Sequence, residues 1–148
     1  MGADMTAAHE SASPGGGMPP HLSMVVLGAR DMPALRRFYR GLRWPERPGA
    51  SDALAMFDLG TTVLTLHPSS PAAGGLSPTQ AAAPSAVTFV VDVDRREAVD
   101  EAVAAALEVG AQQVSAPADQ AFGGRSAVVA DPEGNRWEVL WVSRGERG

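Results

Sequence analysis

Glu138 lies in the run NRWEVLWV, residues 135–142, flanked by Trp137 and Val139. In a strand of period two those apolar neighbours take one face and the carboxylate takes the other. Such a carboxylate can pair with a cationic ligand, or act as a general base if burial raises its pKa. The competing reading pairs it with Arg125 or Arg136 and reduces it to structure. His67 closes the run TTVLTLH, residues 61–67. There it can shuttle a proton or donate a hydrogen bond to a ligand, or it can stand as a half-exposed histidine at a strand end. Phe122 precedes Gly123-Gly124-Arg125, and paired glycines before a strand let a ligand approach the backbone closely. A plain loop-to-strand turn accounts for them equally. They are no phosphate loop, because no helix and no Gly-Lys-Ser/Thr element follows.

Composition removes several chemistries. The chain has 148 residues and no cysteine, which excludes disulfides, thiolate nucleophiles and Cys-ligated zinc or iron–sulfur sites. No Gly-x-Ser-x-Gly elbow occurs, so nucleophilic hydrolysis has little support. Twelve Lys and Arg against 17 Asp and Glu leave a net charge of -5, a field that repels phosphate backbones and argues against nucleic-acid partners. No apolar stretch approaches the ~20 residues of a membrane span, and no signal-like leader opens the sequence. A cytoplasmic protein is expected. At 45% hydrophobic and 20% charged residues, the chain can bury a core and is not a disordered one.

The elements that must carry Glu138 and His67 fall into two blocks. Residues 1–20, with Gly15-Gly16-Gly17 and three prolines, read as a flexible tail, and residues 144–148 as a second one. Residues 68–84 contain four prolines and no charge, and read as a linker or mobile flap between module one (21–67) and module two (85–143). Module one opens with a strand at 22–29. A helix capped by Asp31 follows, with Leu35, Phe38, Tyr39 and Leu42 on its apolar face and Gly41 as its end. Arg36, Arg37 and Arg40 form its solvated face. Strand-like runs at 53–60 and 61–67 then make a hairpin about Gly60, and Trp44 is placed to begin a further short strand. Module two repeats the order: a strand at 85–93, a helix from Asp94 to Leu107, a brief strand at 112–114, and strands at 124–131 and 135–142. Asp94 and Glu97 have capping-box spacing, and Val99, Ala102, Val103, Ala106 and Leu107 form the apolar face. The turn Asp131-Pro132-Glu133-Gly134 joins the last two strands. Two copies of one strand-helix-strand-strand-strand unit make an α+β fold.

The stretches VVLGARDMPALRRFYRGLRW and ADPEGNRWEVLW, in this order, resemble the vicinal oxygen chelate superfamily of glyoxalase I, extradiol dioxygenases and bleomycin-resistance proteins. The resemblance covers residues 22–142. It implies tandem βαβββ modules forming a curled, partly open mixed sheet around a trough, and a homodimer. In the family's metalloenzymes four inward residues hold a divalent ion. Those positions fall here on Met24, Thr65, Ala86 and Glu138, of which only Glu138 is a usual ligand. His9 lies in the tail, His21 has the opposite parity to Met24, and His67 shares the parity of Thr65. One His and one Glu make an incomplete site, so neither metal nor other cofactor is expected.

Bleomycin-resistance-like members hold planar drugs between aromatic rings. The resemblance therefore points to Trp44, Phe57, Phe122 and Trp141 as pocket walls, with His67, Arg125 and Glu138 as polar contacts. Phe38, Tyr39 and Trp137 are assigned to the core by their spacing. The expected function is metal-free sequestration of a small molecule, aromatic or cationic, of the antibiotic-resistance kind. The alternative is a glyoxalase-like lyase or isomerase in which Glu138 and His67 work with an atypical metal or as acid and base. A third reading is an interaction module whose trough is filled by its own side chains.

Overall fold

Asp31 starts the first helix as its sequence position requires: its side chain accepts from the Ala34 backbone N–H at 3.1 Å, and Pro33 occupies the first turn. In the computed structural model, which describes residues 17–69 and 87–143, this helix is α1 (Met32–Gly41), preceded by β1 (Met24–Ala29). It is followed by β2 (Ala55–Asp58) and β3 (Val63–Pro68). Module two contributes β4 (Thr88–Asp92), α2 (Glu97–Glu108), β5 (Gln112–Asp119), β6 (Gly124–Ala130) and β7 (Arg136–Val142). Residues 1–16 of the expected tail (1–20), most of the linker, Ala86, His9 and residues 144–148 lie outside the described residues.

Each module builds its own sheet. The first has the order β1-β3-β2 and the second β4-β7-β6-β5. In both, the opening strand pairs in parallel with the closing one and the rest is antiparallel. The architecture is thus α+β with two mixed, open sheets. The extra strand expected near Trp44 is reduced to a bridge between Glu46 and Phe57, whereas its counterpart β5 grows to eight residues, well past the expected 112–114.

The apolar alternation sets which face each sheet buries. Leu27, Leu64, Leu66, Ala55 and Phe57 turn toward α1, and Ala127, Val129, Trp137 and Val139 join Val99, Val103 and Ala106 of α2 in the same continuous core. Several local expectations change. Leu107 is 41% exposed instead of closing the α2 face. No capping box forms at Asp94; the helix begins at Glu97, and Arg96, at the cap position, makes no side-chain cap bond. Its guanidinium instead reaches Asp119 at 2.8 Å. Arg36 and Arg40 are not simply solvated, since both meet Glu46, Arg36 at 2.7 Å. Gly41 is not the left-handed helix stop either. Arg43 takes that conformation with φ 65°, and Gly41 is small because a Cβ there would stand 2.8 Å from Val109 Cγ1.

The modules are locked through the Asp131 turn. Its buried carboxylate accepts the Tyr39 hydroxyl at 2.5 Å, the Glu133 and Asn135 backbone N–H groups at 2.9 Å each, and Asn135 Nδ2 at 2.8 Å. Tyr39 in turn accepts Trp137 Nε1 at 2.9 Å. Glu133 reaches across to the Asp31 N–H at 2.8 Å and to Arg30 at 3.2 Å. The start and the last turn of α1 are therefore both held by one turn of module two.

Tyr39→Phe is expected to cost about 1–3 kcal/mol, because it strips a donor from a buried carboxylate and an acceptor from a buried indole. Urea unfolding should show a lower midpoint with unchanged slope. Burial first, and then the charge and hydrogen bond of Asp131, raise the Tyr39 phenol above its ordinary 10.0. This contribution is complete below pH 10 and is lost as pH rises above it, because the unfolded chain ionises first. Wild type should lose stability more steeply above about pH 10 than Tyr39→Phe, and tyrosinate absorbance reports the single tyrosine as it unfolds. A Cβ at Gly124 would strike the Trp141 carbonyl oxygen and lie 2.6 Å from Phe122 Cε1. Gly124→Ala should destabilise by about 1–3 kcal/mol in the same assay.

Candidate functional site

The face of each sheet turned away from the helices carries the positions that the sequence resemblance assigns to a chelate. On the first sheet Thr65 sits between Val26 of β1 and Met56 of β2, with Met24 and His67 further along the same face. Thr65 is fully buried and its Oγ1 has no hydrogen-bond partner. On the second sheet Glu138 is half-buried between Val90 of β4 and Val128 of β6. His67 is on the other sheet from Glu138, at the end of β3, where Nδ1 lies 3.2 Å from the Pro68 carbonyl oxygen. Among the described residues no three of His, Cys, Asp and Glu gather into a group that could bind an ion. A thioether, a neutral hydroxyl and one carboxylate do not fit the hard oxygen or nitrogen set that a catalytic divalent cation needs.

Arg125 does not neutralise Glu138. It points to the helix side beside Trp141, donating from Nε to Asp100 at 2.8 Å and from Nη1 to Asp119 at 3.1 Å. Those hydrogen bonds, Asp100 first, raise the guanidinium pKa further. Asp100 is lowered chiefly by its bond from Arg125, and Asp119 by Arg96 and then Arg125. The network ties α2 to β5 and β6, and it also occupies the side of the sheet on which Trp141 stands. Arg136 is exposed, two residues from Glu138 on the same face.

The remaining aromatic candidates separate. Phe57 is enclosed in the core, with its ring 6.0 Å from Tyr39. Phe122 is 49% exposed and packs over its own Gly124, so that glycine serves a ring of this chain. Of the four, Trp44 lines a cavity. It stacks on Tyr39 at 5.4 Å and meets Trp137 edge-on at 5.2 Å. Phe89 lies 4.8 Å from Trp137.

That cavity is a cleft of about 570 Å³ between the edge strands β1 and β4. Its walls include residues of both sheet faces: Val25, Leu64, Val91 and Trp137 from the core side, Val63 and Val90 from the other. It therefore passes between the sheets and opens beside Val90, the immediate neighbour of Glu138. Trp137 and Phe89 are not among the expected pocket walls. Trp137 is assigned to the core by its parity, and only the gap between two sheet edges, which strand periodicity does not encode, brings both to a cavity.

Comparison with known proteins agrees with this geometry. The family profile of the glyoxalase-like domain matches residues 24–140. No curated protein matches the chain. A glyoxalase-related enzyme from Fulvimarina pelagi superposes with TM-score 0.73 at 20% identity, over 82% of this chain and 88% of that one. A glyoxalase/bleomycin resistance protein/dioxygenase family enzyme from Burkholderia phytofirmans PsJN has TM-score 0.69 at 26% identity, over 83% of this chain and 99% of that one. Lactoylglutathione lyase from Agrobacterium tumefaciens has TM-score 0.63 at 23% identity, over 84% and 96%. With strand order, the Asp131 turn and the family match in agreement, this chain belongs to the glyoxalase-like domain family of the vicinal oxygen chelate superfamily.

Proposed function

We propose that this chain is a metal-free small-molecule-binding protein that sequesters its ligand in the trough between its two modules. The observation that carries the reading is the donor set: of the four positions that hold an ion in the family's metalloenzymes, only Glu138 offers a usual ligand, beside Met24, Thr65 and Ala86. The fold is shared with proteins named as a lyase and as enzymes, so fold alone does not choose between binding and catalysis. The reading includes a homodimer, in which a second chain completes the trough, and a cytoplasmic location. Among the described residues no helix is long and apolar enough to cross a membrane.

Elemental analysis of protein prepared without chelator and dialysed separately against Ni²⁺, Mn²⁺, Zn²⁺ and Fe²⁺ tests the proposal. Wild type and Glu138→Ala are expected to retain the same small, substoichiometric amounts. Near-stoichiometric retention of one ion, lost in Glu138→Ala, overturns the reading in favour of a metalloenzyme. Turnover of a thiol adduct of an α-keto aldehyde, abolished by Glu138→Gln, also overturns it, in favour of a lyase or isomerase.

A further inference from the structure

We infer that the cleft between β1 and β4 takes an uncharged, flat aromatic compound bearing one hydrogen-bonding group, with Thr62 as the residue that orients it. The inference rests on the binding reading above and narrows it to a ligand class. Three features of the cleft lead there.

The first is its charge. None of the side chains lining it is ionisable, and apart from Thr62, Thr88 and the indole N–H groups of Trp44 and Trp137 all are apolar. An ion moved into such surroundings loses its hydration and gains no partner, whereas a neutral ring loses little. The second is its wall. Trp44, Trp137 and Phe89 present rings that are already fixed, because Trp44 stacks on Tyr39 and Trp137 donates to the Tyr39 hydroxyl, itself bound to Asp131. A ligand that stacks there orders no loose side chain, which is where flat rings gain most over flexible aliphatic ligands. The volume of about 570 Å³ suits a ligand of several fused rings. The third is Thr62, which lines the cleft and whose Oγ1 is buried with no hydrogen-bond partner, so that a turn about its Cα–Cβ bond presents the hydroxyl to a ligand there. A hydroxyl or carbonyl on the ligand satisfies it, and an apolar ligand leaves it unpaired. At the mouth Val90 is 52% and Leu22 64% exposed, an apolar rim continuous with the interior.

Three pyrene derivatives of nearly one shape test this on the full chain at neutral pH: 1-pyrenemethanol, 1-pyrenecarboxylate and 1-pyrenemethylammonium. Energy transfer from the cleft tryptophans to pyrene reads occupancy, and the pyrene vibronic bands read the polarity of the site. The alcohol is expected to bind roughly tenfold or more tightly than either ion. Thr62→Val should weaken the alcohol by about three- to tenfold while leaving unsubstituted pyrene unchanged. Val90→Glu, at an exposed position that leaves the core intact, should weaken the alcohol by roughly tenfold. If the ammonium binds tightest and loses its affinity in Glu138→Gln, the uncharged-ligand inference is overturned while the binding reading stands. Failure of all three to bind overturns the inference. The binding reading falls separately, on metal retention or turnover.

Discussion

The carboxylate of Asp131 organises this molecule. It is 3% exposed and has no Lys, Arg or His among its hydrogen-bond partners, so its charge is carried by four oriented donors instead. Removing a carboxylate from water costs far more than one hydrogen bond returns. Only the full set, two backbone N–H groups, an amide and a phenol, offsets that cost, and the requirement fixes four groups at once. Three of the donors shape the turn between β6 and β7. The fourth belongs to α1, and through it the turn of one module sets the position of the other module's helix. Glu133 adds a second grip on the same helix start. The relation of the two modules thus follows from satisfying one buried charge, with the apolar contact of α1 and α2 at Gly41 and Val109 closing the other side.

The cleft lies beside that clamp. Tyr39 and Trp137 draw the modules together, and Trp137 also lines the cleft. Among the described residues the edge strands β1 and β4 each pair on one side alone, with β3 and β7. The space between the two edges is walled by core-facing residues, Val25, Leu64, Val91 and Trp137, together with Val63 and Val90 of the other face, which is why Trp137 belongs both to the core and to the cavity. The same chain of contacts that makes the fold, Asp131 to Tyr39 to Trp137 and Trp44, makes the aromatic wall rigid.

Much of this was legible in the sequence, and the unreadable parts share a cause. Strand and helix periods gave β1, α1, β3, β4, β6 and β7 near their observed bounds, and the DPEGN turn with the FY pair pointed to the family. Local signals failed where a distant partner competed. Asp94 and Glu97 have the spacing of a capping box, yet Arg96 is drawn to Asp119, and the helix begins without a side-chain cap. Gly41 looked like a helix stop, but its smallness answers to Val109, some seventy residues away. Arg125 looked available to Glu138 because strand parity was counted without knowing that Asp100 and Asp119 stand on the opposite face. Phe57 and Trp44 were equal candidates by residue type, and only the packing of α1 buries one and leaves the other at a cavity. Thr62 could not have been found, since an unpaired hydroxyl is defined by what surrounds it.

Burial also gives a physical reason why, of the chelate positions, Glu138 alone carries a carboxylate. Thr65 is completely enclosed between Val26 and Met56. An acid in its place, with no ion to compensate it, would carry the desolvation cost that Asp131 meets only with four donors, and the neighbouring Val26 and Met56 side chains supply no hydrogen. A threonine leaves one neutral hydroxyl unpaired, a penalty of about 1–3 kcal/mol. Met24, also on this face, has no charge to solvate. Glu138 is only half-buried, between Val90 and Val128, so water can reach its charge without a metal. The pattern of loss and retention across these positions follows solvent access: the enclosed position is neutral, and the one water can reach keeps its charge. Carboxylates on this face, Glu138 together with the exposed Asp58 and Asp92, thus stand where water reaches them, and the apolar cleft that opens beside Val90 borders the half-buried one.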